Sequence, residues 1–467
     1  MRRLSGIDAD MLYGETPTWH MHVGGLVVLD PATTPGGFDF ATARRLVVEA
    51  AADVPPLRER IVTVPFGLDR PVWVADPAFD VDAHLRRVVL PAPGGARELA
   101  ELAGEFTSAK LDRGRPLWEI WFVEGLEDGC VAMLSKIHHA CGDGVAGSML
   151  MGRMFDPAPT ARTAGRPTEP VTEELPSAVG LLAGALPSLV TLPWRMARTA
   201  GRTAASVAKL ARRPRRDGQR SAAGPFRGPT TSFNRPVTAR RSLGFVELPL
   251  ADVKQVARAF DAKVNDVVLA VCAGALRRYL ADLGELPDAP LVAAVPVSLR
   301  TTEEDFGSFG NMVSGWFANL ATDLEDPVAR LRMIRDAARS AKRVYESGVE
   351  DVVMDWAELP APAVWSLAIR FYVWSQLSER MPPIFNLLVS NVPGPPVPLY
   401  AAGALVRAVY PFGPVLDSIG LNITVISYAD SVEFGVMTCP DLVPDVWALV
   451  DRVPHAMAEL VDAAAAS

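Results

Sequence analysis

Two adjacent histidines are the residues of this chain best suited to chemistry. His138 and His139 are two of only six histidines in 467 residues. They stand between an apolar run, Val131-Ala132-Met133-Leu134, and the turn-forming sequence Ala140-Cys141-Gly142-Asp143-Gly144. An imidazole takes and returns a proton near neutral pH, which is the work of a general base. Gly142, Gly144 and Gly147 permit a sharp turn and leave room beside the second ring. Asp143, four residues after His139, is near enough to support that geometry. The sequence offers neither a GxSxG nucleophile elbow nor a phosphate-binding loop. Cys141 reads as a small packed residue within the motif.

The elements that must position this pair follow from apolar patterning. Residues 118–124 and 130–137 are apolar runs joined by Gly125-Leu126-Glu127-Asp128-Gly129, which predicts a hairpin ending in the histidines. Side chains alternate along a strand, so His138 and His139 should face opposite ways. Residues 145–154 should be a helix after the glycine turn. Upstream, a strand is expected over 23–29 and a helix over 40–52. Downstream, strands are expected near 245–248, 291–297, 385–389, 421–428 and 432–437, with helices over 250–260, 264–280, 326–345 and 445–464. Asn265-Asp266 opens the second of these helices, where asparagine reads as an ordinary N-cap. Pro116-Leu117-Trp118 precedes the hairpin, and Ser390-Asn391-Val392-Pro393-Gly394-Pro395 reads as a rigid turn.

Length and composition bound the rest. The chain exceeds one ordinary domain and suffices for two cores. Apolar residues make up 49%, as in a globular protein, and the net charge of −8 gives no case for nucleic acid. Four cysteines lie scattered without CxxC spacing, which argues against a zinc site or a disulfide framework and fits a reducing, cytoplasmic compartment. His20 and His22 share one strand face, but no acidic or thiol pattern completes a site, so no metal is expected. The opening Met1-Arg2-Arg3 is followed by Asp8, Asp10 and Glu15 and reads as no signal peptide.

Residues 156–235 differ in character. Residues 175–194 carry no charge but include Pro176, Pro187 and Pro193, and eight basic residues lie between 195 and 216. A bilayer span needs about 20 apolar residues, so the stretch is barely long enough, and its prolines make it a poor one. Two readings stay open: a helical linker with a solvated basic face, or contact of about 175–216 with an anionic membrane or lipid inclusion.

The motif HHxxxDG at His138, His139, Asp143 and Gly144 resembles the signature of the bacterial wax ester synthase/diacylglycerol acyltransferase family. That family lies within the CoA-dependent acyltransferases related to chloramphenicol acetyltransferase. Further stretches are similar in the expected order: Leu4-Ser5-Gly6-Ile7-Asp8-Ala9, Pro116-Leu117-Trp118, Asn265-Asp266, Val295-Pro296-Val297-Ser298-Leu299-Arg300, Gly310-Asn311 and Ser390 to Pro395.

The resemblance implies an α/β fold of two chloramphenicol acetyltransferase-like domains, with mixed sheets flanked by helices and an active-site channel between them. The divisions expected are 1–155, carrying the histidines, a crossover linker over 156–235, and 236–467. It implies an O-acyltransferase moving a long-chain acyl group from acyl-CoA, a co-substrate, to a lipid alcohol, with no permanently bound cofactor. Diacylglycerol, giving triacylglycerol, is the favoured acceptor, and a fatty alcohol giving a wax ester is the alternative. His139 is implied as general base and His138 as a supporting group. Asp143 is implied to pair with Arg300 in a structural role, against a triad reading. Pro116, Leu117, Trp118, Asn265, Asp266, Ser390 and Asn391 are candidates to border substrate, with Pro116-Leu117-Trp118 expected chiefly to pack beneath the active site and Trp118 the one that could line the acyl channel. A condensation-type enzyme using a carrier-protein donor and a non-catalytic lipid-surface protein are the competing classes.

Overall fold

The computed structural model describes residues 2–34, 36–142, 151–159, 175–211, 227–298, 311, 313–345, 362–376 and 381–466. In chain order the elements are β1 (Arg2–Arg3), α1 (Gly6–Gly14), β2 (His22–Asp30), α2 (Phe40–Asp53), β3 (Glu59–Val62), β4 (Val72–Ala75), β5 (Leu85–Val89), α3 (Ala96–Ser108), β6 (Trp118–Glu124) and β7 (Val131–His138). A 3-10 turn at His139–Cys141 follows, another at Pro65–Gly67 lies earlier between β3 and β4, and later comes α4 (Ala178–Ala211). The second half contributes β8 (Ser242–Pro249), α5 (Leu250–Ala259), α6 (Val264–Asp282), β9 (Val292–Ser298), β10 (Val313–Asn319), α7 (Pro327–Tyr345), α8 (Pro362–Trp374), β11 (Leu387–Val392), β12 (Tyr400–Ala401), β13 (Ala404–Phe412), β14 (Leu421–Tyr428), β15 (Ser431–Thr438), α9 (Val446–Val450) and α10 (Arg452–Ala465).

Among the described residues these strands form two six-stranded mixed sheets and a small one. The first runs β12-β13-β2-β7-β6-β5, the second β10-β9-β11-β14-β15-β8, and the third β1-β4-β3. The expected hairpin is present: β6 and β7 pair antiparallel, with Phe122 opposite Met133. β7 lies between β2 and β6, so both its backbone edges are paired, and Val131 to Leu134 are all buried. In the second half, α6 is buried from Asp266 to Leu276. A helix this apolar all round belongs inside a core.

Two expectations are corrected. The helix expected over 445–464 breaks at Asp451 into α9 and α10. Pro454 has no N–H to give the Val450 carbonyl, which stops α9 from running on. The first sheet is also not confined to the first 155 residues. β13, far along the chain, pairs antiparallel with β2, with Leu405 opposite Asp30, and β12 adds outside it. β2 meets β7 on one edge only, and its other row of backbone groups needs a partner.

The two large sheets touch where β13 lies against β15. A Cβ at Gly435 would run into the Pro411 carbonyl, so only glycine permits the approach. Nearby, the fully buried Glu433 accepts hydrogen bonds from the Val409 N–H and from the Ser431 hydroxyl at 2.8 Å. Burial pushes its carboxyl up to about 7.

Candidate active site

The end of β7 is held from both sides by main-chain bonds. The His138 N–H donates to the Leu117 carbonyl at 2.9 Å, and the His139 N–H to the Met21 carbonyl at 2.7 Å. His139 then opens the 3-10 turn, and its carbonyl accepts from the Gly142 N–H at 3.2 Å. Strand alternation acts as expected: His138 is fully buried, whereas His139 is half-buried. The His139 Nδ1 is closed off from solvent, with no hydrogen-bond partner among the described residues.

A third segment also fixes this carbonyl. The Asn311 side-chain amide donates to His139 O at 2.6 Å and to Asp8 Oδ1 at 2.7 Å. The Asn311 main-chain N–H donates to the same Asp8 oxygen at 3.0 Å. Asp8 and Asn311 are both buried. Asn311 therefore ties the opening block to the histidine turn, and α1, which carries Asp8, packs against that turn.

His138 is a positioning group. Its Nδ1 accepts the Ala140 N–H at 3.0 Å, so the proton of the neutral ring sits on Nε2. Burial holds this imidazole well below its ordinary value, and the Arg113 charge adds to the effect. Its Nε2 lies 3.9 Å from Glu15 Oε2, and the His22 Nε2 lies 3.7 Å from Glu15 Oε1. Glu15 is itself buried and paired with Lys110 at 3.1 Å and Arg113 at 2.6 Å. This polar cluster beneath the motif was not foreseen in the sequence, where Glu15 stands far from the histidines. Two positions before His138, Lys136 is buried and ties the end of α3, donating to the Phe106 carbonyl at 2.6 Å and the Ala109 carbonyl at 2.8 Å. Burial raises the Cys141 thiol far above neutral pH, and Cys141 packs with Leu4, Leu12 and Leu117. It is no nucleophile.

The other expected residues divide. Asp143, Gly144 and Arg300 lie outside the described residues, so their pairing does too. Pro116, Leu117 and Trp118 are buried. Leu117 packs beneath the turn. Trp118 stacks on His84 with ring centroids 4.5 Å apart and donates its indole N–H to the Leu57 carbonyl at 2.8 Å. Its large ring packs in the core. Asn265 is not the N-cap of α6. Lys263 holds that position, and Asp266 accepts its N–H at 2.8 Å. Asn265 instead accepts from the Asn391 side chain at 3.2 Å, joining two of the expected blocks. Ser390 and Asn391 end strand β11 instead of forming a turn. The His20 and His22 rings lie tilted with centroids 5.3 Å apart, and no metal-binding group is found among the described residues.

Two family profiles cover most of the chain. The wax ester synthase/diacylglycerol acyltransferase catalytic domain matches residues 4–268, and the C-terminal domain of the same family matches 309–461. The chain belongs to this family. A Mycobacterium tuberculosis relative named as a candidate diacylglycerol O-acyltransferase is 37% identical over 463 residues, 99% of this chain and 90% of that one. A Mycobacterium bovis relative with the same designation is 35% identical, covering 98% of each chain. The solved wax ester synthase/diacylglycerol acyltransferase from Marinobacter aquaeolei VT8 superposes with a TM-score of 0.71 at 29% identity, covering 99% of this chain and 100% of that one. The first condensation domain of the calcium-dependent antibiotic synthetase shares the fold, with a TM-score of 0.61 at 15% identity over 98% of this chain and 96% of that one. Within the family frame, Asp8 and Asn311 fall inside the two matched regions, one in each.

Proposed function

We propose that this enzyme transfers a long-chain acyl group from acyl-CoA to a lipid alcohol, with diacylglycerol as the preferred acceptor and triacylglycerol as product. The observation that carries the reading is His139, held by three separate segments at the end of a buried strand, in a chain of the wax ester synthase/diacylglycerol acyltransferase family. With Nδ1 closed in, Nε2 is the ring nitrogen left to meet a hydroxyl. His139 takes the hydroxyl proton as the oxygen attacks the thioester carbonyl. The tetrahedral intermediate collapses, the C–S bond breaks, and the proton passes to the departing CoA thiolate. No acyl-enzyme is involved. Asp143 and Arg300 would brace the far side of the motif as an ion pair. A fatty alcohol as acceptor, giving a wax ester, is the second reading, supported by the name of the Marinobacter structure. The enzyme would work in the cytoplasm, at the inner face of the membrane or on lipid inclusions.

The test incubates the purified protein with radiolabelled palmitoyl-CoA and either dioleoylglycerol or hexadecanol, beside His139→Ala. Labelled triacylglycerol from the native chain alone supports the proposal, and wax ester alone reverses the acceptor. No ester with either acceptor overturns both readings.

A further inference from the structure

Helix α4 is apolar on two sides. Its inner side buries Leu181 and Ala185 against Val72 and Val74 of the small sheet and Val64 just beyond β3. Its outer side carries Val179, Ala183, Leu186, Val190 and Trp194, spaced by three or four residues and all exposed, Val190 at 79%. Folding accounts for the inner row but gives no reason for the outer one. The outer row ends at Arg198, whose guanidinium lies over the Trp194 ring at 5.5 Å.

A second helix repeats the pattern. On α8, Leu367, Phe371 and Trp374 fall at i, i+4 and i+7 and face outward, Trp374 at 80% exposure. Both helices touch the 3-10 turn Pro65–Gly67, whose Phe66 is 83% exposed. α8 also packs on α1, and α1 packs on the His139 turn, so this apolar face lies one helix away from the candidate base.

Charge selects the occupant. The whole chain carries −8, yet residues 178–204 contain Arg195, Arg198 and Arg202 with no acidic residue, and residues 362–374 contain Arg370 with none. Residues 178–204 are long and apolar enough to cross a membrane by length and composition. The buried inner row and the outward apolar row describe a helix that lies flat instead. We propose that the outer faces of α4 and α8, with Phe66 between them, form the surface by which the enzyme seats on an anionic lipid layer, presenting the His139 side to it. This deepens the proposed function, since it rests on a lipid-borne acceptor.

The test is flotation of the full chain with phosphatidylcholine vesicles, with or without phosphatidylglycerol, following tryptophan emission. The native protein should bind the anionic vesicles with a blue shift. Val190→Asp and Phe371→Asp should each weaken binding at least tenfold, with circular dichroism unchanged. Arg198→Glu should weaken it by about fivefold or more on anionic vesicles and hardly at all on neutral ones. Native-like binding by Val190→Asp and Phe371→Asp would overturn the proposal. So would a native dimer that these variants split without loss of vesicle binding, since the face would then join two copies. The vesicles hold neither CoA nor acceptor, so failure of acyl transfer would refute the function and leave this surface standing.

Discussion

In β7, Val131, Ala132, Met133 and Leu134 are all buried, whereas in α4, Val179, Leu186, Val190 and Trp194 all face outward. Both stretches are uncharged and comparably apolar in sequence. The strand lies between two others, and its C-terminal end is pinned by bonds to Leu117, Met21 and Asn311. The helix rests on the body through one row of its residues. Apolar character in the strand is thus consumed by folding, and in the helix it is left over for something outside the chain. Hydrophobicity alone does not separate a scaffold from a contact surface; the number of neighbouring elements does.

Substitutions can break this contrast, beginning where the strand meets chemistry. His139→Ala should lower acyl transfer by about 10²–10⁴-fold or more with the fold intact, read by turnover and thermal melting. Leu134→Ala, deep in β7, should cost about 2–5 kcal/mol in denaturant unfolding, because the tight surroundings cannot collapse onto the space. At the sheet junction, Glu433 has its carboxyl raised from 4.5 to about 7. Between those values the folded protein keeps a proton that the unfolded chain has released. Stability present at low pH is therefore lost as pH rises through about 7, by about 3 kcal/mol in all. Glu433→Gln should flatten that dependence in unfolding measured from pH 5 to 8. Asn311→Ala removes the side-chain amide that Asp8 and the His139 carbonyl share, leaving the main-chain N–H on Asp8, and should cost about 1–3 kcal/mol with a fall in kcat larger than any change in KM. Val190→Ser, on the outer row of α4, should change stability by less than about 0.5 kcal/mol. A cost near that of Leu134→Ala would erase the distinction between strand and helix.

Much of the fold was legible because its strongest signals are local. The hairpin of β6 and β7, the buried α6 and the antiparallel β14–β15 pair follow from apolar runs and turn residues. What escaped is long-range. Nothing near Asp8 announces a bond to Asn311, and nothing near β2 announces that residues beyond 400 complete its sheet. Trp118 was not fixed by sequence because an aromatic beside a motif looks the same whether it lines a channel or fills a core; in the structure its ring is buried and bonded to Leu57. Asn265 was misplaced by two positions: the helix opens at Val264 as expected, but Lys263 is its N-cap and Asp266 accepts the Lys263 N–H. The histidine pair was readable as chemistry, but the bracing by Glu15, Asp8 and Asn311 depends on segments that meet only in three dimensions.

The placement of β13 has a consequence for how the protein is made. As the chain leaves the ribosome, β2 emerges early and soon finds β7, but its other edge waits until residues around 412 have been synthesised. Through most of translation a strand rich in valine and leucine shows an open row of amides and carbonyls, the kind of edge that recruits other chains. The two halves are therefore not independent folding units. A fragment ending at 235 should aggregate where the full chain stays soluble, and supplying residues 236–467 in trans should rescue it.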